Sequence, residues 1–144
     1  MTDRNQSLIA LAARVEAATG PDRELDLAIS VAIDYRDVFN GPLYKPYAGD
    51  WRWGAGGDEI EHWTSSGKRD GFLDPAQFVP RWTASLDAAM TLVPEGMQWF
   101  KERGAYVPNI AVIQGPTCSF VGETDSTFAL ALCAAALRAR GASQ

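Results

Sequence analysis

The chain has 144 residues, with 47% hydrophobic and 22% charged residues, which is enough to bury a core without staples and close to the average for globular domains. A net charge of −5 with no basic stripe speaks against direct nucleic-acid binding and against docking on an anionic membrane, since both need lysine and arginine to neutralise phosphate. Cys118 and Cys133 are the only cysteines, so neither a disulfide framework nor a zinc knuckle is expected, and both are read as buried small hydrophobes.

Met1 leads into Thr2-Asp3-Arg4-Asn5-Gln6, without a cationic-then-apolar secretion signal. The longest apolar run, Phe128 to Leu137, falls well short of the roughly 20 residues a bilayer crossing needs. The cytoplasm is the expected location.

The chain opens on two helices, a hairpin over residues 5–35. Leu8, Ala12, Val15 and Ala18 recur at helical spacing, widened by Ile9 and Leu11, until Thr19-Gly20-Pro21 ends the first helix. In the second, Leu25, Ala28, Ile29, Ala32 and Ile33 follow i, i+3, i+4, i+7, i+8, with Asp22, Glu24 and Asp26 near the positive end of the dipole.

Residues 40–80 change character: they are dense in glycine and proline, carry Trp51, Trp53 and Trp63, and keep no sustained period. An irregular segment is expected here, of the kind that is usually functional inside a compact domain. Asp50-Trp51-Arg52-Trp53 and Glu59-Ile60-Glu61-His62-Trp63 each read as a short strand, paired across Gly54-Ala55-Gly56-Gly57.

Beyond this segment Thr83 or Ser85 caps a short helix carrying Leu86, Ala89, Met90 and Val93, stopped by Pro94. Three strands follow, at Met97–Lys101, Ala105–Gln114 and Cys118–Gly122, joined at Arg103-Gly104 and Gly115-Pro116-Thr117 as an antiparallel meander. Pro108 would take a ladder donor from the middle strand, so a bulge or local edge is expected there. Asp125 or Ser126 opens a last helix to Arg140, apolar around most of its circumference, with Leu130, Cys133 and Leu137 in its packing stripe. This order gives a single α+β domain over 1–144. Its architecture is a three-stranded or slightly larger antiparallel sheet packed by helices, sandwich-like in α/β/α layers.

The run Pro80-Arg81-Trp82-Thr83-Ala84-Ser85-Leu86-Asp87-Ala88-Ala89-Met90-Thr91-Leu92-Val93-Pro94-Glu95-Gly96 and the run Ala129-Leu130-Ala131-Leu132-Cys133-Ala134-Ala135-Ala136-Leu137-Arg138-Ala139-Arg140 resemble blocks of the phage ABA-sandwich family of small phage and prophage proteins. The likeness covers the opening helices and most of residues 80–140, and little of 40–80. Trp82 stands where a smaller aromatic is expected and Phe128 where a proline is. The resemblance implies a sheet layered between helices and a phage or prophage setting. It brings no catalytic residues.

No catalytic, cofactor or metal site is assembled by the motifs. His62, the single histidine, would share a helical turn with Asp58 and Glu59 at i, i+4 and i, i+3 spacing. A transition metal needs three or four such ligands, and nothing supplies the rest. Ser66-Gly67-Lys68 matches the tail of a phosphate loop, but His62 stands where the upstream glycine is required. Trp51, Trp53 and Trp63, interleaved with Asp58, Glu59, Glu61 and His62, are the candidate recognition residues, because tryptophan is enriched at binding hot spots and acids around it suit a basic protein surface. Read structurally, the same rings seal an open face of the domain, and the acidic residues serve solubility. The expected function is that of a non-enzymatic phage or prophage protein binding a host protein, for example to block an antiviral system such as CRISPR. The alternatives are a small-molecule or nucleotide-signal binder or hydrolase, and a minor virion accessory protein. The oligomeric state is left open by the sequence.

Overall fold

A computed structural model describes residues 3–33, 36–37, 41–42, 49–53, 60–64, 66–73 and 79–142. In chain order these form α1 (Asp3–Ala17), α2 (Arg23–Ala32), β1 (Arg36–Asp37), β2 (Gly41–Pro42), β3 (Gly49–Trp53), β4 (Ile60–Thr64), β5 (Arg69–Leu73), α3 (Leu86–Met90), β6 (Gln98–Glu102), β7 (Asn109–Gln114), β8 (Ser119–Thr124) and α4 (Phe128–Ala142). The chain divides into two compact units, one made of residues 1–23 and 81–144 and the other of residues 24–80.

The first unit is an α+β arrangement built on the β6–β7–β8 meander, antiparallel throughout. Residue pairing sets Trp99, Ile113 and Phe120 side by side, then Lys101, Ala111 and Gly122. Alternate residues of a strand face opposite sides, so these six share one face, and α4 crosses it. The approach is close. A Cβ added at Gly122 would run into the Ala131 carbonyl and lie 2.7 Å from the Ala135 nitrogen, so only glycine on the strand and small residues on the helix permit the packing. α4 is consequently buried almost all round, with Leu130, Leu132, Cys133 and Leu137 fully enclosed. Each such leucine contributes about 1.5–3 kcal/mol before entropy is counted. α1 packs along α4 through Leu8, Leu11, Ala12 and Val15, while Ile9 of the expected stripe stays exposed.

Helix starts are fixed by side-chain oxygens. The Ser85 hydroxyl accepts from the Ala88 N–H at 3.2 Å and caps α3. Thr83, the other candidate cap, is instead buried and tied to the turn after α1, accepting from the Asp22 N–H and donating to the Asp22 carbonyl. α4 opens later than expected: Thr127, not Asp125 or Ser126, presents its hydroxyl to the Leu130 N–H at 3.3 Å. In α3 only Ala89 is buried, and Leu86 and Met90 are exposed, because the helix ends at Met90 and Leu92 in the following turn becomes the core residue. The middle strand begins at Asn109, so Pro108 lies outside the ladder and needs no bulge. Cys133 is buried, its thiol donating to the Trp82 carbonyl, whereas Cys118 sits exposed in the β7–β8 turn and corrects the expectation of two interior cysteines.

The outer edge of β8 is closed by an ion pair. Arg138 reaches Glu16 with both terminal nitrogens, at 2.6 and 2.5 Å. Arg138 also donates to the Val121 carbonyl at 2.7 Å, and Glu16 accepts from the Glu123 N–H at 2.8 Å. The pair thus occupies the donor and acceptor positions that a neighbouring strand would fill. Burial by itself raises the Glu16 carboxyl pKa, but the Arg138 bond, the Glu123 N–H and the guanidinium charge outweigh it, and the net shift is downward.

In the second unit α2 buries Leu25, Asp26, Leu27, Ile29 and Ser30, a wider and more polar face than the expected i, i+3, i+4 stripe. The stretch expected to be irregular contains a second three-stranded antiparallel sheet, in the order β3-β4-β5, and β2, which pairs with β1 just before the stretch.

Candidate functional site

Why Gly49–Trp53 and Ile60–Thr64 form strands follows from their composition. Trp-Arg-Trp alternates in side-chain character, and Ile-Glu-His-Trp-Thr supplies aromatic and β-branched residues, which suit a pleated surface. The expected pairing of β3 with β4 is present, running from Gly49 opposite Thr64 to Trp53 opposite Ile60. β5 adds to β4, with a register shift between His62 and Trp63. The turn from β4 to β5 carries Gly67 at φ 87°, a left-handed conformation that glycine adopts without steric cost. Ser66-Gly67-Lys68 is therefore an exposed turn between strands, not the start of a phosphate-binding helix.

The register sorts the candidate residues onto two faces. Trp51 lies opposite His62 and Trp53 opposite Ile60, on one face; Arg52 lies opposite Glu61 and Asp50 opposite Trp63, on the other. Phe72, paired with Glu61, joins the second set. Trp51, Trp53 and His62 thus share one side of the sheet, while Glu61 and Trp63 share the other with Asp50, Arg52 and Phe72. His62 belongs to a strand, so the helical turn that would have joined it to Asp58 and Glu59 is not formed at His62. Asp58 and Glu59 themselves lie outside the described residues.

On the second face the indole N–H of Trp63 donates to the Glu61 carboxylate at 3.0 Å, and both side chains are half-buried. Residues two apart on a strand point the same way, which is what lets this bond form. It fixes the ring orientation of Trp63. Only the i, i+2 spacing of an acid and a tryptophan hints at this bond before the strand is known. Among the described residues, no three His, Cys, Asp or Glu side chains come together to hold a metal ion. Nor is any described helix long and apolar enough to cross a membrane.

The fold defines an α+β protein whose β3–β4–β5 sheet carries both aromatic and charged residues. Comparison with known proteins finds no matching family model, no similar curated protein and no similar solved structure.

Proposed function

We propose that this chain works by binding a protein with a basic surface, and that the β3–β4–β5 sheet makes the contact through its Asp50, Glu61 and Trp63 face. The proposal includes the setting implied by the resemblance to the phage ABA-sandwich family: a non-enzymatic phage or prophage protein acting on a host component, such as an antiviral defence system. One observation carries the reading. Residues 24–80 hold ten acidic against five basic residues, while the rest of the chain holds eight of each. The whole net charge of −5 therefore belongs to the unit that also carries three of the five tryptophans. Excess acid and tryptophan carried by the same unit can steer a basic partner and then anchor it.

The test uses protein recovered from a bacterial lysate by the wild-type chain, with affinity and melting temperature measured on each variant. Trp63→Ala should weaken binding by about thirtyfold, the range of a hot-spot residue, at little change in melting temperature. Glu61→Lys should slow association, flatten its salt dependence and, by releasing the Trp63 indole, also speed dissociation. Trp51→Ala and Trp53→Ala, on the opposite face, should leave affinity close to wild type. Failure to recover any protein, or unchanged affinity in well-folded Trp63→Ala and Glu61→Lys, would sink the proposal.

A further inference from the structure

The two edges of the β6–β7–β8 sheet are finished differently. At β8 the Val121 carbonyl and the Glu123 N–H point away from β7, since they bond Arg138 and Glu16. In an antiparallel strand the N–H and C=O of one residue point the same way, and the direction alternates along the chain. On β8, therefore, Phe120, Gly122 and Thr124 bond to β7, through their partners Ile113, Ala111 and Asn109. Ile110, Val112 and Gln114 then turn toward β6, where they meet Glu102, Phe100 and Gln98. The backbone groups of Trp99 and Lys101 are left directed out of the sheet. Among the described residues no strand pairs with that edge, and Phe100, Lys101 and Glu102 are exposed.

We infer that β6 is a self-recognition edge, at which a second copy of this chain adds its own β6 antiparallel about a two-fold axis at Phe100. The sheet then continues across the axis at twice its width. Trp99 falls opposite Lys101 of the partner subunit, and each residue exchanges both N–H···O bonds with the other, using the groups that point outward. On the helix-bearing face this register sets an ammonium beside an indole, a favourable cation–π pair. On the open face it sets Gln98 opposite Glu102 of the partner subunit, as donor and acceptor, and the two Phe100 rings together at the axis. Charged residues on an edge ordinarily discourage pairing, but here each meets a neutral partner. Centring the axis on Lys101 would bring like charges together, and a slip of one residue would reverse the faces. The unit that carries β6 has equal numbers of acidic and basic residues, so it brings no net repulsion to the contact. At β8 the Glu16–Arg138 pair already holds Val121 and Glu123, which directs strand addition to β6.

Sedimentation velocity on the full chain over rising concentration, with amide exchange read at Trp99 and Lys101, tests the inference. A reversible dimer is expected, with those two amides increasingly protected as it forms. Lys101→Pro removes an outward donor without touching the β6–β7 ladder, and Phe100→Lys sets a charge against its own symmetry mate. Each should raise the dissociation constant by about tenfold or more with an unchanged circular dichroism spectrum. If one variant misfolds, the other and the wild-type exchange still decide. A chain that stays monomeric, a dimer whose Trp99 and Lys101 amides exchange as in the monomer, or a dimer that survives both substitutions overturns it. So does a dimer lost in Val121→Lys but kept in Lys101→Pro, which would place the contact on the open face instead.

Discussion

Glu16 is the residue whose chemistry most clearly exceeds its place in a pattern. By helical spacing it is an ordinary solvent-facing acid near the end of α1; in the structure it holds Arg138 and the backbone of β8 at once. Its pKa is lowered on folding, so the folded state favours the carboxylate. The resulting stability is present above the ordinary carboxylate range and is lost as pH falls through the folded value. Glu16→Gln keeps an acceptor for the Glu123 N–H but loses the charge. At neutral pH it should cost about 1–2 kcal/mol, toward the lower end for charge-assisted bonds because both partners remain partly in solvent. Melting curves of wild type and variant across acidic pH should converge as Glu16 protonates; parallel curves at every pH would show that the pair contributes nothing. Gly122 makes a similar point about spacing. A glycine inside a strand usually weakens it, and here it is what lets Ala131 and Ala135 approach.

Among the elements, α4 and α3 mark the range of what the sequence conveys. The apolar circumference of α4 announced a helix enclosed on several sides, and Leu130, Cys133 and Leu137 are indeed fully buried. Leu130→Ala and Leu137→Ala should each destabilise by about 2–5 kcal/mol, whereas Leu86→Ala in α3 should cost under about 1 kcal/mol, since that side chain is 39% exposed. Denaturant midpoints on the three variants check this, and equal losses would mean that α3 carries more of the core than its exposure indicates. α3 misled because the Leu86, Ala89, Met90 and Val93 stripe fits a helix reaching Pro94 as well as one that ends at Met90, and nothing local reveals that Leu92 beyond the helix fills the core instead. The meander was legible because Gly104, Gly115 and Pro116 punctuate it. β5 was not, since Arg-Asp-Gly-Phe-Leu neither alternates nor clusters β-branched residues, and its strand conformation comes from pairing with β4. For the candidate site, spacing revealed the β3–β4 hairpin and its aromatic content. It did not reveal the division of Trp51 and Trp53 from Trp63, because faces follow from register, and register belongs to the pair of strands rather than to either sequence.

For the whole molecule, the division at residues 23 and 80 separates two kinds of surface: a unit with balanced charge and a unit that holds all the excess acid. It also separates two kinds of chain path. Residues 24–80 form a continuous stretch, while the other unit is assembled from segments on either side of it, and its Glu16–Arg138 pair spans 122 residues. Joining distant segments carries a loop-closure cost, and contacts of long sequence separation form slowly. During synthesis α1 is made long before α4, so its apolar face of Leu8, Leu11 and Val15 must wait for the surface that covers it. The β3–β4–β5 sheet needs no such wait. Pulse-labelled hydrogen exchange during refolding should accordingly find the β4 amides protected before those of α1, and the reverse order would refute it. The interval between the two is a window in which a half-made chain exposes a greasy helix, and in which a chaperone would find its clearest point of engagement.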